Sequence, residues 1–219
     1  MRGLIVSIQP PPGSALDDPA IVAAIAACAT ENGAAAVRIE GAQRIAAVRA
    51  RLARTPIVGL IKRAEPGFAP YITATLSDVE NVLDAGANIV AVDATGRPRS
   101  DGKTFADAVA AIHKRDGIAF ADCARIEDAR AALAAGADVV ATTLCGYTDE
   151  TRGIPLPALD LVREIANLGV FAVCEGGVAS PAQAAHAFAV GASAVVVGTA
   201  LTNLDVLVRR FADAARDFA

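Results

Sequence analysis

The chain has 219 residues, a formal net charge of −4 and 54% hydrophobic residues, with no Trp and only 4% aromatic residues. This length suits one domain over residues 1–219, whose core must be filled by Ala, Val, Ile and Leu. The acidic balance and the lack of a basic block argue against nucleic-acid binding, which needs clustered Lys and Arg against phosphates.

Apolar, strand-like runs alternate with Ala-rich helical stretches along the whole chain. The eight predicted strands are 4–8, 34–39, 56–61, 89–92, 118–121, 139–142, 170–173 and 194–197. The predicted helices are 18–30, 42–53, one from about 77 with Ser77 as its cap, 104–114, 126–135, 159–168, one from 180, and 205–218.

Eight strands that are each followed by a helix predict an α/β fold, a closed parallel (β/α)8 or TIM barrel. The strands read as unbroken apolar runs, which is typical of parallel strands covered on both faces. An open doubly wound sheet is the alternative, and it is weakened because no strand is followed by a G-x-G-x-x-G turn.

An internal repeat supports the barrel. Gly33, Gly86, Gly136 and Gly191 each end a predicted helix before an even-numbered strand, at separations of 53, 50 and 55 residues. Each is predicted to close its helix in a left-handed conformation. The spacing equals two strand–helix units, as expected of a barrel built from four such pairs.

A polar residue lies at the end of six predicted strands. These residues are Gln9, Arg38, Lys62, Asp93, Asp122 and Glu175. Any one of them alone is explained as a strand cap or a surface residue. Because the chemistry of such barrels lies at the C-terminal ends of the strands, we expect all six around one pocket.

Glycines follow the seventh and eighth predicted strands, where Gly176 and Gly177 follow Glu175, and Gly198 precedes Thr199. Tight turns would by themselves explain glycines at either place. However, these two loops are the usual phosphate site of the fold, and glycines let backbone amides approach an anion. Their presence in both loops favours a phosphate site.

Candidates for proton transfer are few. His113 and His186 lie within predicted helices, so neither is expected to act as a base or to bind a metal. This leaves the carboxylates and Lys62, since a lysine in a partly dry pocket loses basicity and can exchange protons near neutral pH.

The cysteine pattern and the hydropathy of the chain indicate the compartment in which the protein is expected. The four cysteines have no C-x-x-C spacing, which predicts reduced thiols and argues against a disulfide framework or zinc site. No apolar run approaches the roughly 20 residues that span a bilayer, and the run after Arg2 is too short for a signal peptide. We therefore expect a cytoplasmic protein that does not bind membranes.

Several segments together form a recognisable pattern: 6–9, 37–38, 59–63, 71–75, 92–95, 121–122, 142–148 and 174–177. They resemble the N-acylglucosamine-6-phosphate 2-epimerase family over about residues 4–204. The lysine segment 59–63 with 71–75, and the segment 142–148, are specific to that family, whereas glycine loops alone are not.

The resemblance implies a barrel of the ribulose-phosphate-binding type that interconverts N-acetylmannosamine 6-phosphate and N-acetylglucosamine 6-phosphate in sialic acid breakdown. It implies C2 deprotonation and reprotonation with no metal or other cofactor, a homodimer, and Lys62 and Glu175 as the catalytic pair. The implied substrate contacts are Gln9, Arg38, Asp122, Thr143 and Tyr147, and the implied phosphate contacts are Gly176, Gly177, Gly198 and Thr199.

Two positions depart from the family pattern. Asn203 occupies the place of an Arg that members usually have just after the eighth strand to pair with phosphate, and Ser100 stands where Pro is common. The final helix carries apolar residues that suit either packing on the barrel or contact with a partner, namely Val206, Leu207, Phe211 and Phe218.

Three questions stay open on the sequence. A Schiff-base barrel of the aldolase or thiazole-forming kind would use Lys62 to attack a carbonyl. A phosphosugar-binding barrel without catalysis is a second alternative. For the epimerase itself, Lys62 acts at C2 either alone or together with Glu175.

Overall fold

Eight parallel strands pair in sequential order and close into a barrel in the computed structural model, which describes residues 2–216. The first and last strands close the barrel, with Gly3 to Val6 running alongside Ala194 to Val197. The predicted (β/α)8 barrel is confirmed, and the open doubly wound alternative is wrong.

The strand bounds agree with the predicted runs to within two residues. The strands are β1 Gly3–Ile8, β2 Ala36–Glu40, β3 Ile57–Leu60, β4 Ile89–Asp93, β5 Ile118–Asp122, β6 Val139–Ala141, β7 Phe171–Cys174 and β8 Ala194–Val197. Their residues are almost all buried, because helices cover the sheet outside and side chains fill it inside.

Helices follow every strand. They are α1 Pro19–Glu31, α2 Ala42–Arg51, α3 Leu76–Asp84, α4 Phe105–His113, α5 Ile126–Ala134, α6 Leu159–Ala166, α7 Pro181–Ala189, α8 Thr199–Thr202 and α9 Leu204–Ala215. The four-residue α8 was not predicted as a separate element, and positions 217 and 218 of the predicted last helix lie outside the described residues. Within residues 2–216, no helix is long and apolar enough to cross a membrane.

The predicted cap of α3 was wrong by two residues. Thr75, not Ser77, caps the helix, because its hydroxyl accepts a hydrogen bond from the Asp78 amide at 3.2 Å. The Asp78 carboxylate in turn accepts from the Thr75 amide at 3.1 Å. This reciprocal capping box satisfies two free amides at the start of the helix, so the helix begins at Leu76.

The repeated glycines adopt the predicted conformation. Gly33, Gly86, Gly136 and Gly191 have φ angles of 100°, 96°, 94° and 111°. After each of them a backbone amide reaches back into the last turn of the helix, as the Ala87 amide does to the Val82 carbonyl at 3.3 Å. A residue with a side chain would be strained at these positions, which explains the choice of glycine.

Side-chain alternation along the strands positions the site. Apolar side chains such as Ile5, Val58 and Phe120 form one buried cluster that fills the barrel interior. Side chains two residues apart point to the same face of a strand, so continuing these series leads to Gln9, Lys62 and Asp122 at the C-terminal ends. The rule that fills the core therefore also directs polar side chains toward the barrel mouth.

Candidate active site

A cavity of about 420 Å³ opens at the C-terminal end of the barrel. Ten of the eleven predicted site residues line it: Gln9, Arg38, Lys62, Thr143, Tyr147, Glu175, Gly176, Gly177, Gly198 and Thr199. These residues come from the first, second, third, sixth, seventh and eighth strand ends, which shows that the barrel brings distant parts of the chain to one place.

Arg38 is the buried centre of the site. Its guanidinium makes a two-pronged ion pair with Asp122, with nitrogen–oxygen distances of 3.1 and 2.7 Å, and lies 3.1 Å from Glu175 Oε2. It also stacks 5.3 Å above the centre of the Phe120 ring. Burial alone would lower the pKa of Arg38, but the two carboxylates raise it above its ordinary value. The guanidinium therefore stays charged at every physiological pH.

Asp122 is the one predicted site residue that does not line the cavity. Its side chain is fully buried, and besides Arg38 it accepts a hydrogen bond from the Thr143 hydroxyl at 2.6 Å. The structure therefore places Asp122 behind Arg38 and Thr143, where it holds two cavity-lining side chains. Its direct contact with a substrate stays a prediction.

A short antiparallel pairing fixes Lys62 just past the end of β3. Lys62 pairs with Ile72, the Arg63 amide donates to the Tyr71 carbonyl at 3.0 Å, and the Thr73 amide donates to the Ile61 carbonyl at 2.7 Å. The chain after Lys62 thus folds back along it. This explains why residues 71–73 accompany the lysine in the sequence pattern.

The local electrostatics act on Lys62 and Glu175 in opposite directions. Burial raises the pKa of Glu175 to about 7, although Arg38 opposes the shift. Partial burial lowers the pKa of Lys62, and the positive charge of Arg38 lowers it further. The Lys62 side chain nevertheless remains accessible to solvent through the cavity. Both groups are therefore shifted toward the pH range in which they can give and accept protons.

Three buried polar atoms at this site have no hydrogen-bond partner within residues 2–216: Gln9 Oε1, Arg38 Nε and Glu175 Oε2. The Gln9 amide nitrogen is used, because it donates to the Ser7 hydroxyl at 2.7 Å. Glu175 Oε2 lies near Arg38 without hydrogen-bond geometry. Buried polar atoms are rarely left unpaired in proteins, so these three atoms are candidates for hydrogen bonds to a polar ligand.

The two glycine loops form one wall of the cavity. Gly176 and Gly177 have φ angles of 105° and 72°, and a Cβ on Gly177 would lie 2.4 Å from the Leu156 Cβ. Gly198 lies against Ser7, whose Cβ is 3.3 Å from the position of a Gly198 Cβ. Backbone conformation favours glycine at positions 176 and 177, close packing adds to this at Gly177, and Gly198 is in tight contact with Ser7.

Asp93 does not join the predicted polar ring. It is fully buried at the end of β4, its carboxylate accepts from the Thr95 amide at 3.0 Å and pairs with Arg97 at 2.8 Å. It does not line the cavity. The expectation that it faces the pocket was wrong, because neighbouring loop residues occupy both of its oxygens.

Sequence reasoning gave no site role to three polar residues that line the cavity, Tyr71, Thr202 and Arg210, whereas Asn203, which also lines it, was noted as standing in place of the family's Arg. Tyr71 was visible as part of the segment 71–75, and burial raises its pKa. Asn203 caps α9, since its side-chain oxygen accepts from the Val206 amide at 3.2 Å. Arg210 lies on α9 and is far along the sequence from any strand end, so no local sequence pattern indicated it.

Neither the histidines nor the cysteines line the cavity. His113 pairs with Asp138 at the surface at 2.9 Å. The four cysteines are free, and burial raises the pKa of the Cys174 thiol to about 12, so that it stays protonated. Across residues 2–216 no group of three or more His, Cys, Asp or Glu side chains has a metal-binding arrangement.

Comparison with known proteins gives a consistent result. A family model described as "Putative N-acetylmannosamine-6-phosphate epimerase" matches residues 22–217. A putative N-acetylmannosamine-6-phosphate 2-epimerase of Synechococcus elongatus is 45% identical over 97% of this chain and 93% of its own length. One from Klebsiella pneumoniae is 48% identical over 93% and 85% of the two chains.

A solved structure is similar over nearly the same extent. It is the N-acetylmannosamine-6-phosphate 2-epimerase of Clostridium perfringens, with a TM-score of 0.92 and 33% identity over 96% of this chain and 92% of that chain. The similarity thus extends over nearly the whole chain.

The buried ion pair predicts a stability effect. Asp122→Asn removes the carboxylate that neutralises most of the Arg38 charge, and should lower the free energy of unfolding by about 3 kcal/mol. Urea denaturation measures this loss. Asp149→Asn is the matched control, because its exposed pair with Arg152 contributes less than about 1 kcal/mol. Equal losses in the two variants would show that the Arg38 pair does not stabilise the barrel.

Proposed function

Because the chain belongs to the N-acetylmannosamine-6-phosphate epimerase family, we infer that it interconverts N-acetylmannosamine 6-phosphate and N-acetylglucosamine 6-phosphate by inverting C2. The observation that best supports this function is the pair Lys62 and Glu175, which line one cavity with pKa values displaced toward neutrality from opposite sides. A role in sialic acid breakdown and a cytoplasmic location stay predictions.

Inversion at C2 needs two proton transfers on opposite faces. In the open-chain sugar, C2 is next to the C1 aldehyde, so removal of its proton gives an enolate. The neutral Lys62 amine takes the proton from one face and becomes an ammonium, while the Glu175 carboxyl gives a proton to the other face and becomes a carboxylate. The reverse direction exchanges these roles, which requires that each group both gives and accepts protons near neutral pH.

The unpaired polar atoms orient the sugar. Gln9 Oε1 accepts from a donor such as the acylamino N–H, and Arg38 Nε donates to a substrate oxygen. Thr143 and Tyr147 complete the substrate contacts along the same wall. Asp122 fixes Arg38 and so holds both the donor and the neighbouring Glu175 in place.

The glycine loops bind the phosphate. The backbone amides of Gly176, Gly177, Gly198 and Thr199 lie along the cavity wall formed by the seventh and eighth strand ends. Contact there holds the substrate at a group that does not change during the reaction, so that binding energy serves to position C2.

A homodimer is part of the proposal. On α9, Val206 and Leu207 are partly buried, whereas Leu204, Val208 and Phe211 are exposed, with Phe211 at 78%. The exposed residues recur at spacings of four and three, so they form one face of the helix. Phe218, the fourth residue of the predicted apolar face, lies outside the described residues.

The proton-transfer roles predict a distinct exchange pattern in heavy water. Glu175→Gln cannot transfer a proton, so it should lose epimerisation while the epimer whose C2 proton faces Lys62 still exchanges that proton for deuterium. Lys62→Ala should lose this exchange and keep binding the sugar phosphate. Proton NMR of C2 follows the exchange, and titration calorimetry follows binding.

The alternatives give different results in the same assay. Continued epimerisation by Glu175→Gln would mean that Lys62 acts alone at C2. A covalent Lys62 adduct trapped by borohydride during turnover would favour the Schiff-base barrel. Tight binding without any C2 exchange in the unsubstituted protein would favour a binding-only barrel.

The pKa shifts predict a bell-shaped dependence of kcat/KM on pH. In the active state, Lys62 and Glu175 together hold one proton. Activity therefore falls at pH values below the Glu175 pKa of about 7, because both groups are then protonated. It falls again where Lys62 deprotonates, below the ordinary lysine range. Rates from pH 5 to 10 test this, with the phosphate titration of the free substrate measured separately by ³¹P NMR. A profile that is flat between pH 6 and 8 would contradict the assignment.

The exposed α9 face predicts the effect of one substitution on assembly. Phe211→Asp places a charge on the proposed contact and should shift a dimer to monomer in analytical ultracentrifugation. Phe68→Asp is the control, because Phe68 is also exposed, at 41%, but lies in the loop after β3. A wild-type protein that sediments as a monomer would disprove the homodimer.

A further inference from the structure

Arg210 lines the same cavity as the two glycine loops, although it comes from the last described helix. Asn203 lines it as well. Asn203 is the N-cap of α9, and Arg210 follows it by seven positions, which is about two helical turns, so both are on the same side of the helix. This explains how a residue so far along the chain reaches the cavity.

The Asn203 side chain cannot supply a positive charge to the cavity. Its amide is neutral, and its oxygen is already used to cap α9 by accepting from the Val206 amide at 3.2 Å. Yet this is the position at which the resembled family usually has an Arg that pairs with phosphate. Any cation for a phosphate in this chain must therefore come from elsewhere.

Among residues 2–216, three cationic side chains line the cavity, and two of them lie in the field of carboxylates. Arg38 lies between Asp122 and Glu175. Lys62 lies in the field of three carboxylates, those of Glu175, Asp122 and Glu40. Arg210 forms no ion pair with any residue between 2 and 216.

We propose that Arg210 is the cation that binds the substrate phosphate, in place of the Arg that Asn203 replaces. The proposal rests on the proposed function, because it assumes a phosphorylated substrate held by the glycine loops. A sugar phosphate carries about −1.5 to −2 charges at pH 7, and backbone amides supply no net charge to balance it. A guanidinium can donate two parallel hydrogen bonds to phosphate oxygens, which gives both charge and orientation.

The test compares two neighbouring arginines. Arg210→Ala should raise KM for N-acetylmannosamine 6-phosphate about tenfold with little change in kcat, because a charge-assisted contact far from C2 is lost. Arg209→Ala is the matched control, since Arg209 is exposed on the same helix but does not line the cavity. Its KM should stay at the wild-type value.

Three further measurements separate phosphate binding from a structural effect. Inhibition by inorganic phosphate should weaken in Arg210→Ala by the same factor as KM. The rise of KM with added salt should be steeper in the wild type than in Arg210→Ala, because salt screens the exposed charge. Asn203→Arg introduced into Arg210→Ala should restore part of the affinity.

The outcomes distinguish this proposal from the proposed function. Equal KM values for Arg210→Ala and Arg209→Ala, with full epimerase activity, would overturn the role of Arg210 and leave the function intact. Calorimetric titration with N-acetylglucosamine 6-phosphate needs no turnover. If binding there depends on Arg210 while the wild type does not epimerise, the Arg210 assignment stands and the epimerase function fails.

Discussion

The buried ion pair of Arg38 with Asp122 is the interaction on which the rest of the site depends. A charged guanidinium inside a barrel is unfavourable unless carboxylates and an aromatic face surround it, and here Asp122, Glu175 and Phe120 do so. Asp122 provides the two-pronged contact, so Glu175 is only partly neutralised. Because Arg38 pairs less closely with Glu175 than with Asp122, the effect of burial dominates at Glu175 and raises its pKa to about 7.

The same difference in pairing keeps Lys62 and Glu175, the two proposed proton-transfer groups, distinct in their protonation. If Arg38 paired as closely with Glu175 as with Asp122, the carboxylate would be held in its ionised form and could not donate a proton near neutral pH. Arg38 also lowers the pKa of Lys62 by charge repulsion, next to the larger effect of burial. One fully buried cation thus affects the pKa of both groups, and Asp122 holds that cation without itself lining the cavity.

Much of this arrangement follows from strand alternation, which is why the sequence predicts it. Apolar strands fix the barrel, and each series of inward side chains ends in a polar residue such as Gln9, Arg38 or Glu175. Strand alternation does not predict which side chains pair with each other across the barrel. Arg38 and Asp122 are 84 positions apart, and the capture of Asp93 by Arg97 depends on how a loop folds. Arg210 was not predicted, because its place at the cavity depends on how α9 packs in the tertiary structure.

The distribution of charge around the cavity gives the substrate a direction. At the inner end, Arg38 is paired with Asp122 and lies 3.1 Å from Glu175, so a substrate phosphate placed there would face Glu175 and gain little. At the glycine loops, backbone amides and Arg210, which forms no ion pair with any residue from 2 to 216, favour a doubly charged group. In the function proposed above, a sugar phosphate is thus bound with its phosphate at the loops and its reactive carbon toward Lys62 and Glu175. The orientation is specific because the carboxylates next to Arg38 leave little positive charge near Lys62 and Glu175 to attract the phosphate.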